Sequence, residues 1–285
     1  MSVATEPRAP RLSAAARRRL VHAGLTAIAL LYVGILVLAP LFGIAWQALK
    51  VGWDQIWATL TSPDVLHAFQ LTAIITVITV VVTTVFGVIV ALVIARDRFP
   101  GKALVSAFVD LPLAVSPVIV GVMAILLFGR GGLFESWFAA RGIQILYAVP
   151  SMTLVTVFIC IPFVIREVVP VLHELGTGEE EAARTLGAST WQTFFRVTLK
   201  NIRWGLLYGI ALSTARAIGE IGAVLIVSGA ITGQTETATL YILREFDQFR
   251  DANGFIVALA LALVSIILLI GIETFKRRQQ KERET

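Results

Sequence analysis

LTAIITVITVVVTTVFGVIVALVIA, residues 71–95, is a run of 25 residues without one charged side chain. About 20 consecutive apolar residues cross the hydrocarbon of a bilayer as a helix, whereas a surface helix in water carries charges on its outer face. A barrel strand would be shorter and would alternate apolar with polar residues, which this run does not do. In lipid every backbone N–H and C=O must be satisfied within the segment, so the stretch is predicted to be a transmembrane α-helix.

Outward from it, five more runs qualify. Residues 23–46, 143–165 and 254–272 are also uncharged, 103–128 holds only Asp110, and 204–231 holds Arg216 and Glu220. The chain as a whole is 57% hydrophobic and 15% charged, with mean hydropathy +0.82, too few charges for a domain facing water on all sides. The expected architecture is an all-α integral membrane protein of six transmembrane helices. One membrane domain over residues 23–275 is flanked by basic tails at 1–22 and 276–285, with a long loop at 166–203. Arg17, Arg18 and Arg19 before the first run imitate a signal sequence. The run is too long for one and lacks an Ala-x-Ala cleavage site, so it is read as a retained span.

Six spans put both termini on one side. That side, with its two loops, holds eighteen Lys and Arg, among them Arg8, Arg11, Arg96, Arg184, Lys200 and Arg277; the other side holds five, Lys50, Arg130, Arg141, Arg244 and Arg250. The asymmetry predicts cytoplasmic termini. Trp46, Trp53, Trp57, Trp137, Tyr147 and Tyr241 fall near the opposite boundary, where amphipathic rings anchor. The basic residues thus account for the net charge of +5 without nucleic acid, and the lone Cys160 excludes an internal disulfide or a cysteine metal cluster.

The loop at 166–203 has internal structure. Thr177-Gly178-Glu179-Glu180 fits a capping box, Glu179 to Glu181 load the first turn with negative charge, and Gly187 sits where a left-handed cap is wanted. Ser189-Thr190-Trp191-Gln192 is a second capping box, opening a helix to about Lys200 with Trp191, Phe194, Phe195, Thr198 and Leu199 at helical spacing. The reading is two short helices hinged at Gly187.

Glu181-Ala182-Ala183-x-x-x-Gly187, nine residues, then Val197-x-Leu199 resembles the EAA motif of ABC importer permeases, with Val197 for Ile and Lys200 where that family has Pro. The resemblance implies the type I ABC importer permease fold with a cytoplasmic coupling helix that docks on a separate ATPase. Glu181, Ala182, Ala183, Leu186, Gly187, Val197 and Leu199 would then be the coupling residues. ATP and Mg would be held by the partner ATPase dimer and no cofactor by this chain, in which no Gly-x4-Gly-Lys-Ser/Thr occurs.

Within the spans, Arg216 and Glu220 share a helix face at i,i+4, and an intramembrane charge costs about 2.5–3.5 kcal/mol at the bilayer centre. Two readings stand: a buried structural pair, or an Arg216 that faces a pathway and supplies positive charge and hydrogen-bond donors to an anion. Pro112 and Ser116-Pro117 interrupt the third span, and Pro150 and Pro162 the fourth, which marks either a cavity-lining segment or ordinary tolerance of proline. Ser116 and Pro117 are the pathway candidates beside the charged pair.

Leu111 to Val118, Pro162 to Pro170, Val197 to Trp204 and Ala215 to Val224 resemble the sulfate/thiosulfate permease subunits of the CysW kind, and the similarity runs from about Leu71 to the last span. Molybdate permeases share the Ala-Arg-Ala-x-Gly-Glu type of segment; Arg166-Glu167 and Trp204 favour sulfate. The resemblance implies a second, similar permease, an ATPase dimer, an external sulfate-binding protein and a bacterial inner-membrane location. A membrane enzyme is the first rival, but His173-Glu174 lacks the second histidine of a zinc-protease helix. A self-sufficient channel or secondary transporter is the second, and would call for more intramembrane ionisable groups or a filter motif.

Overall fold

A computed structural model describes residues 14–284, with side chains from 22 to 272 and at Thr274. Arg8 and Arg11 lie outside the described residues, as do the side chains of Arg17 to Arg19 and of the basic C-terminal tail. The described residues are helical over most of each apolar run and contain no strand. In chain order the helices are α1 (Ala14–Leu49), α2 (Trp53–Leu60), α3 (Pro63–Arg96), α4 (Lys102–Ala114), α5 (Pro117–Phe128), α6 (Glu135–Ala139) and α7 (Val149–Leu175). They continue with α8 (Gly178–Thr185), α9 (Thr190–Thr193), α10 (Leu199–Ile218), α11 (Gly222–Ser228), α12 (Ala238–Asp247) and α13 (Asp251–Glu284).

Four helices are long and apolar enough to cross a membrane unaided: α1 from His22, α3, α7 and α13 to Ile272. The other two expected spans are broken. The run 103–128 is α4 and α5, bent by 112° where Pro117 removes an amide and holds Ser116 in extended backbone. The run 204–231 is bent by 53° between α10 and α11 at Gly219–Ile221. The fourth span starts later than residue 143, at Val149, and passes Pro162 and Pro170 to reach Leu175. Pro150 sits in its first turn, where a missing amide costs nothing, so neither Pro150 nor Pro162 interrupts it.

The centre of the bundle is α3, α7 and α10. Ser62 accepts a hydrogen bond from the Val65 amide at the start of α3, Pro63 occupies its first turn, and Arg96 ends it. Along α3, Thr72, Thr76, Thr79 and Thr83 form a buried stripe; Thr72 accepts from the Ala238 amide at 2.9 Å, and Thr83 lies 3.1 Å from Ser213 of α10. On α10, Gly205 and Gly209 let the helix close on α7: a Cβ at Gly205 would lie 2.6 Å from the Glu167 carbonyl oxygen, and one at Gly209 2.9 Å from the Val164 Cα. This is the small-xxx-small contact by which membrane helices pack without a hydrophobic drive between them.

Two apolar clusters fill the centre. One joins Ile75, Val120, Met152, Val155 and Val227; the other joins Val88, Ile94, Val164, Leu172 and Ile202. α1 lies apart. Its apolar window is unburied by the rest of the chain, and it is held mainly at its end, where Ala48 packs with Ile56 and Ile256. Trp46, Trp53, Trp57, Trp137 and Tyr147 are exposed, as anchoring rings would be. Tyr241 is not: it is buried with Val65, Ala68 and Val257.

Candidate functional site

The residues singled out in the sequence gather in two places, the α8–α9 loop and the crossing of the two broken spans. In the loop, the expected capping box at Thr177 does not form. Its hydroxyl donates instead to the Glu181 carboxylate at 2.6 Å, and the α8 N-terminus has no side-chain cap. The glutamates of that first turn are drawn elsewhere. Glu179 accepts from the Asn201 side-chain amide, while one oxygen of Glu180 accepts from Arg96 of α3 and from the Thr198 hydroxyl, each at 3.0 Å. Sequence reading counted Arg96 only as a topology charge, and it passed over Asn201. Their partners are 84 and 22 residues away, so spacing held no signal.

Gly187 has φ +88, with open space where a Cβ would stand. Its amide donates to the Arg184 carbonyl and the Ala188 amide to the Ala183 carbonyl, the paired bonds of a Schellman ending to α8. Glycine is wanted here for the sign of φ, not for room. Beyond it the second capping box forms in full between Ser189 and Gln192.

The helix that follows is not short. A π-helical segment, Phe194–Thr198, carries α9 into α10 without a stop, and Lys200 lies inside the continuous helix. The stripe of Trp191 to Leu199 divides: Phe194 and Leu199 pack on the core, while Trp191 and Phe195 stack on each other and stay exposed. Glu181, Ala182, Leu186 and Gly187 are also exposed, Leu186 at 89%; Ala183 and Val197 are half-buried. Leu186 and the Gly187 turn thus stand free of their own chain, while Trp191 and Phe195 border an apolar groove with Val85, Ile89 and Leu92 of α3.

At the second place, α5 and α11 pack side by side. A Cβ at Gly222 would lie 2.9 Å from that of Pro117, and one at Gly121 2.7 Å from that of Ile226. The structure thereby brings Ser116 and Pro117 to the break that contains Glu220. Glu220 is buried, its Oε2 is 2.5 Å from the Arg216 guanidinium, and its Oε1 accepts from the Ala223 amide at 2.8 Å. It therefore splices the bend, tying the end of α10 to the first turn of α11. Arg216 keeps 30% of its side chain exposed, and Ser116, Gly219 and Ile221 are exposed around it. Asp110, the other intramembrane charge, accepts from Arg166 of α7 at 2.8 Å.

At the opposite end of the molecule from α8, two carboxylates that sequence reading missed are buried, Glu236 just before α12 and Glu245 within it. Glu245 accepts from Arg250, Asn253 and Arg244, and Glu236 lies 3.2 Å from Arg244. Burial pushes Glu236 above the usual carboxylate range despite Arg244. Burial would raise Glu245 as well, but the hydrogen bonds from Arg250 and Asn253 outweigh it and hold that carboxyl below the range.

Among the described residues no cluster of His, Cys, Asp or Glu could hold a metal ion. A family model described as the binding-protein-dependent transport system inner membrane component matches residues 83–281. The chain is 45% identical to the sulfate transport system permease protein CysW of a Synechocystis strain, over 89% of this chain and 92% of that one. It is 36% identical to the sulfate transport system permease protein CysT of Escherichia coli K12, over 87% and 90%. Among solved structures, the bacterial alginate ABC transporter in complex with an alginate pentasaccharide-bound periplasmic protein shares the fold. The match has TM-score 0.77 and 19% identity over 93% of this chain and 96% of that one.

Proposed function

The chain belongs to the family of binding-protein-dependent transport system inner membrane components, and on that premise we propose that it is a permease subunit of an ATP-driven sulfate importer. The observation that carries the reading is the α8–α9 pair. α8, closed by its glycine turn, and α9, opened by its capping box, are rooted in the ends of α7 and α10 and present Leu186, Trp191 and Phe195 to a partner that this chain does not supply. The sequence holds no Gly-x4-Gly-Lys-Ser/Thr, so nucleotide chemistry falls to separate ATPase subunits, which carry ATP and Mg. Closure of that dimer pushes α8, and the spans rock between outward- and inward-facing states. The Lys and Arg asymmetry supports α8 and both termini on the cytoplasmic side of the inner membrane. The match to both CysW and CysT permeases supports a heterodimer, and an external binding protein delivers the anion.

The pathway residues in this reading are Ser116, Pro117, Arg216 and Glu220. Glu220 neutralises and orients Arg216, whose exposed part meets the sulfate; two facing breaks supply the loosened backbone that transporters use near their substrate. Sulfate as substrate is supported by the names of the relatives, with thiosulfate as a second oxyanion and molybdate as the alternative.

The test is uptake of labelled sulfate in cells lacking this chain. Restored chain should return uptake, with competition by thiosulfate and little by molybdate; competition by molybdate alone reassigns the substrate. Uptake by the chain without an ATPase would overturn the importer and favour a channel or secondary transporter. Arg216→Leu should abolish uptake with the protein still in the membrane. Normal uptake at reduced yield would make Arg216–Glu220 a structural pair only.

A further inference from the structure

α8 is joined to the rest of the chain through two glycines with positive φ, Gly176 at +64 after α7 and Gly187 at +88 before α9. A helix of eight residues hung between two such joints has no covalent reason to hold one angle. Force applied to it would be lost in rotation about the joints unless side chains lock it to the spans. Besides the Glu179–Asn201 bond to α10, the described contacts that do so centre on Arg96, whose side chain is 17% exposed, and Glu180, at 13%.

Arg96 is the last residue of α3, and its guanidinium forks. Nη1 donates to the Leu172 carbonyl at 3.0 Å and Nη2 to Glu180 Oε1 at 3.0 Å. Leu172 O belongs to the last turn of α7, where carbonyls lack helical partners, so the fork satisfies a helix end and an acid together. The same Glu180 oxygen takes the Thr198 hydroxyl, which is buried at the end of the π-helical segment leading into α10. One guanidinium and one carboxylate therefore join α3, α7, α8 and α10 at a single point. The contact is largely shielded from water, where a charge-assisted pair keeps its strength and direction better than on the surface.

We propose that Arg96 is a positioning residue for transport: with Glu180 and Thr198 it locks α8 to three spans, so that displacement of α8 moves α3, α7 and α10 together. This rests on the ATPase-coupled reading above and adds to it which contact makes the lever stiff. Neither residue lies in the motif that faces the partner, and both are turned toward their own bundle. Lysine at position 96 keeps the charge but cannot reach Leu172 and Glu180 with a planar fork.

The test uses the full complex, this chain with its partner permease, ATPase subunits and binding protein, in proteoliposomes. Labelled sulfate moved and ATP hydrolysed are read together. Arg96→Gln and Glu180→Gln should keep hydrolysis within about twofold but lower sulfate moved per ATP by about tenfold or more. The exchanged pair Arg96→Glu with Glu180→Arg should recover most of that loss, as interacting charges do in a double-mutant cycle. Arg96→Lys should fall between. Single variants with the wild-type ratio would overturn the proposal, as would an exchanged pair no better than the worse single. Failure of both Gln variants to retain the ATPase would also overturn it, making the contact one of assembly. A wild-type complex whose hydrolysis moves no sulfate would instead sink the transport reading.

Discussion

The two ends of the molecule handle carboxylates in opposite ways. At α12, Glu236 and Glu245 are each 1% exposed; Glu245 is held by Arg244, Arg250 and Asn253, while Glu236 has Arg244 beside it, so both acids meet a counter-charge inside the fold. At α8 the three consecutive glutamates are only partly covered, and the apolar residues next to them point away from the chain. Burying an ion pair gives up hydration and returns it only with good geometry, which suits a part that must keep one shape. An end that must meet another protein cannot spend its apolar side chains on its own core. On the proposed reading, the difference separates a region built to stay closed from one left open for a partner.

The sharpest way to break this contrast is to remove one member at each end. Glu245→Ala leaves two arginines without their shared acid, and should lower the stability of the purified chain by about 3 kcal/mol, read as thermal unfolding in detergent. A change under about 0.5 kcal/mol would show the α12 cluster to be ornamental. Leu186→Glu should do the reverse. The solubilised chain should melt as before, because Leu186 is 89% exposed in it, while ATPase copurifying with the complex should fall about thirtyfold, as for an interface hot spot of about 2 kcal/mol. Equal copurification would deny that this face is the docking surface.

A smaller effect sharpens the comparison within the open end. Gly187→Val meets no neighbour, yet a β-branched residue at φ +88 is strained by about 1–2 kcal/mol and should reopen the Schellman turn. Sulfate uptake should drop about tenfold with the ATPase still bound; full uptake would mean that the turn can relax without consequence.

Much of this was legible in the residues, and the failures are instructive. Uninterrupted apolar runs announced the membrane and the helices, and the capping box at Ser189 and the left-handed turn at Gly187 are local chemistry that needs no partner. Thr177 misled because a capping box competes with every other acceptor nearby, and Glu181 was close enough to take the hydroxyl. The bend at Gly219–Ile221 has no proline to signal it, and Glu220, read only as the partner of Arg216, gave no sign that it would also accept from the Ala223 amide. Gly205 and Gly209, and the stripe from Thr72 to Thr83, were visible at helical spacing but gain meaning only from what they pack against. Arg96 was the hardest, since an arginine closing an apolar run is what topology alone would place there.

The least effect, and the finest test of the contrast, is pH dependence at the closed end. Glu236 is held above the usual carboxylate range, so in the window between the usual value and its own the folded chain keeps a proton that the unfolded chain releases. Its contribution to stability therefore grows as pH falls through that window and levels off below it. Glu245 is held below the range, so its contribution is present above the usual value and is lost as pH falls through its own. Together they place the α12 end at its firmest on the acid side of neutrality. Glu236→Gln should remove the first trend and leave the second, a difference of at most about 1.4 kcal/mol per pH unit for one proton, measured as thermal unfolding from about pH 4.5 to 7.5. Parallel curves for variant and wild type would mean that Arg244 offsets the burial of Glu236 in full and leaves its carboxyl in the usual range.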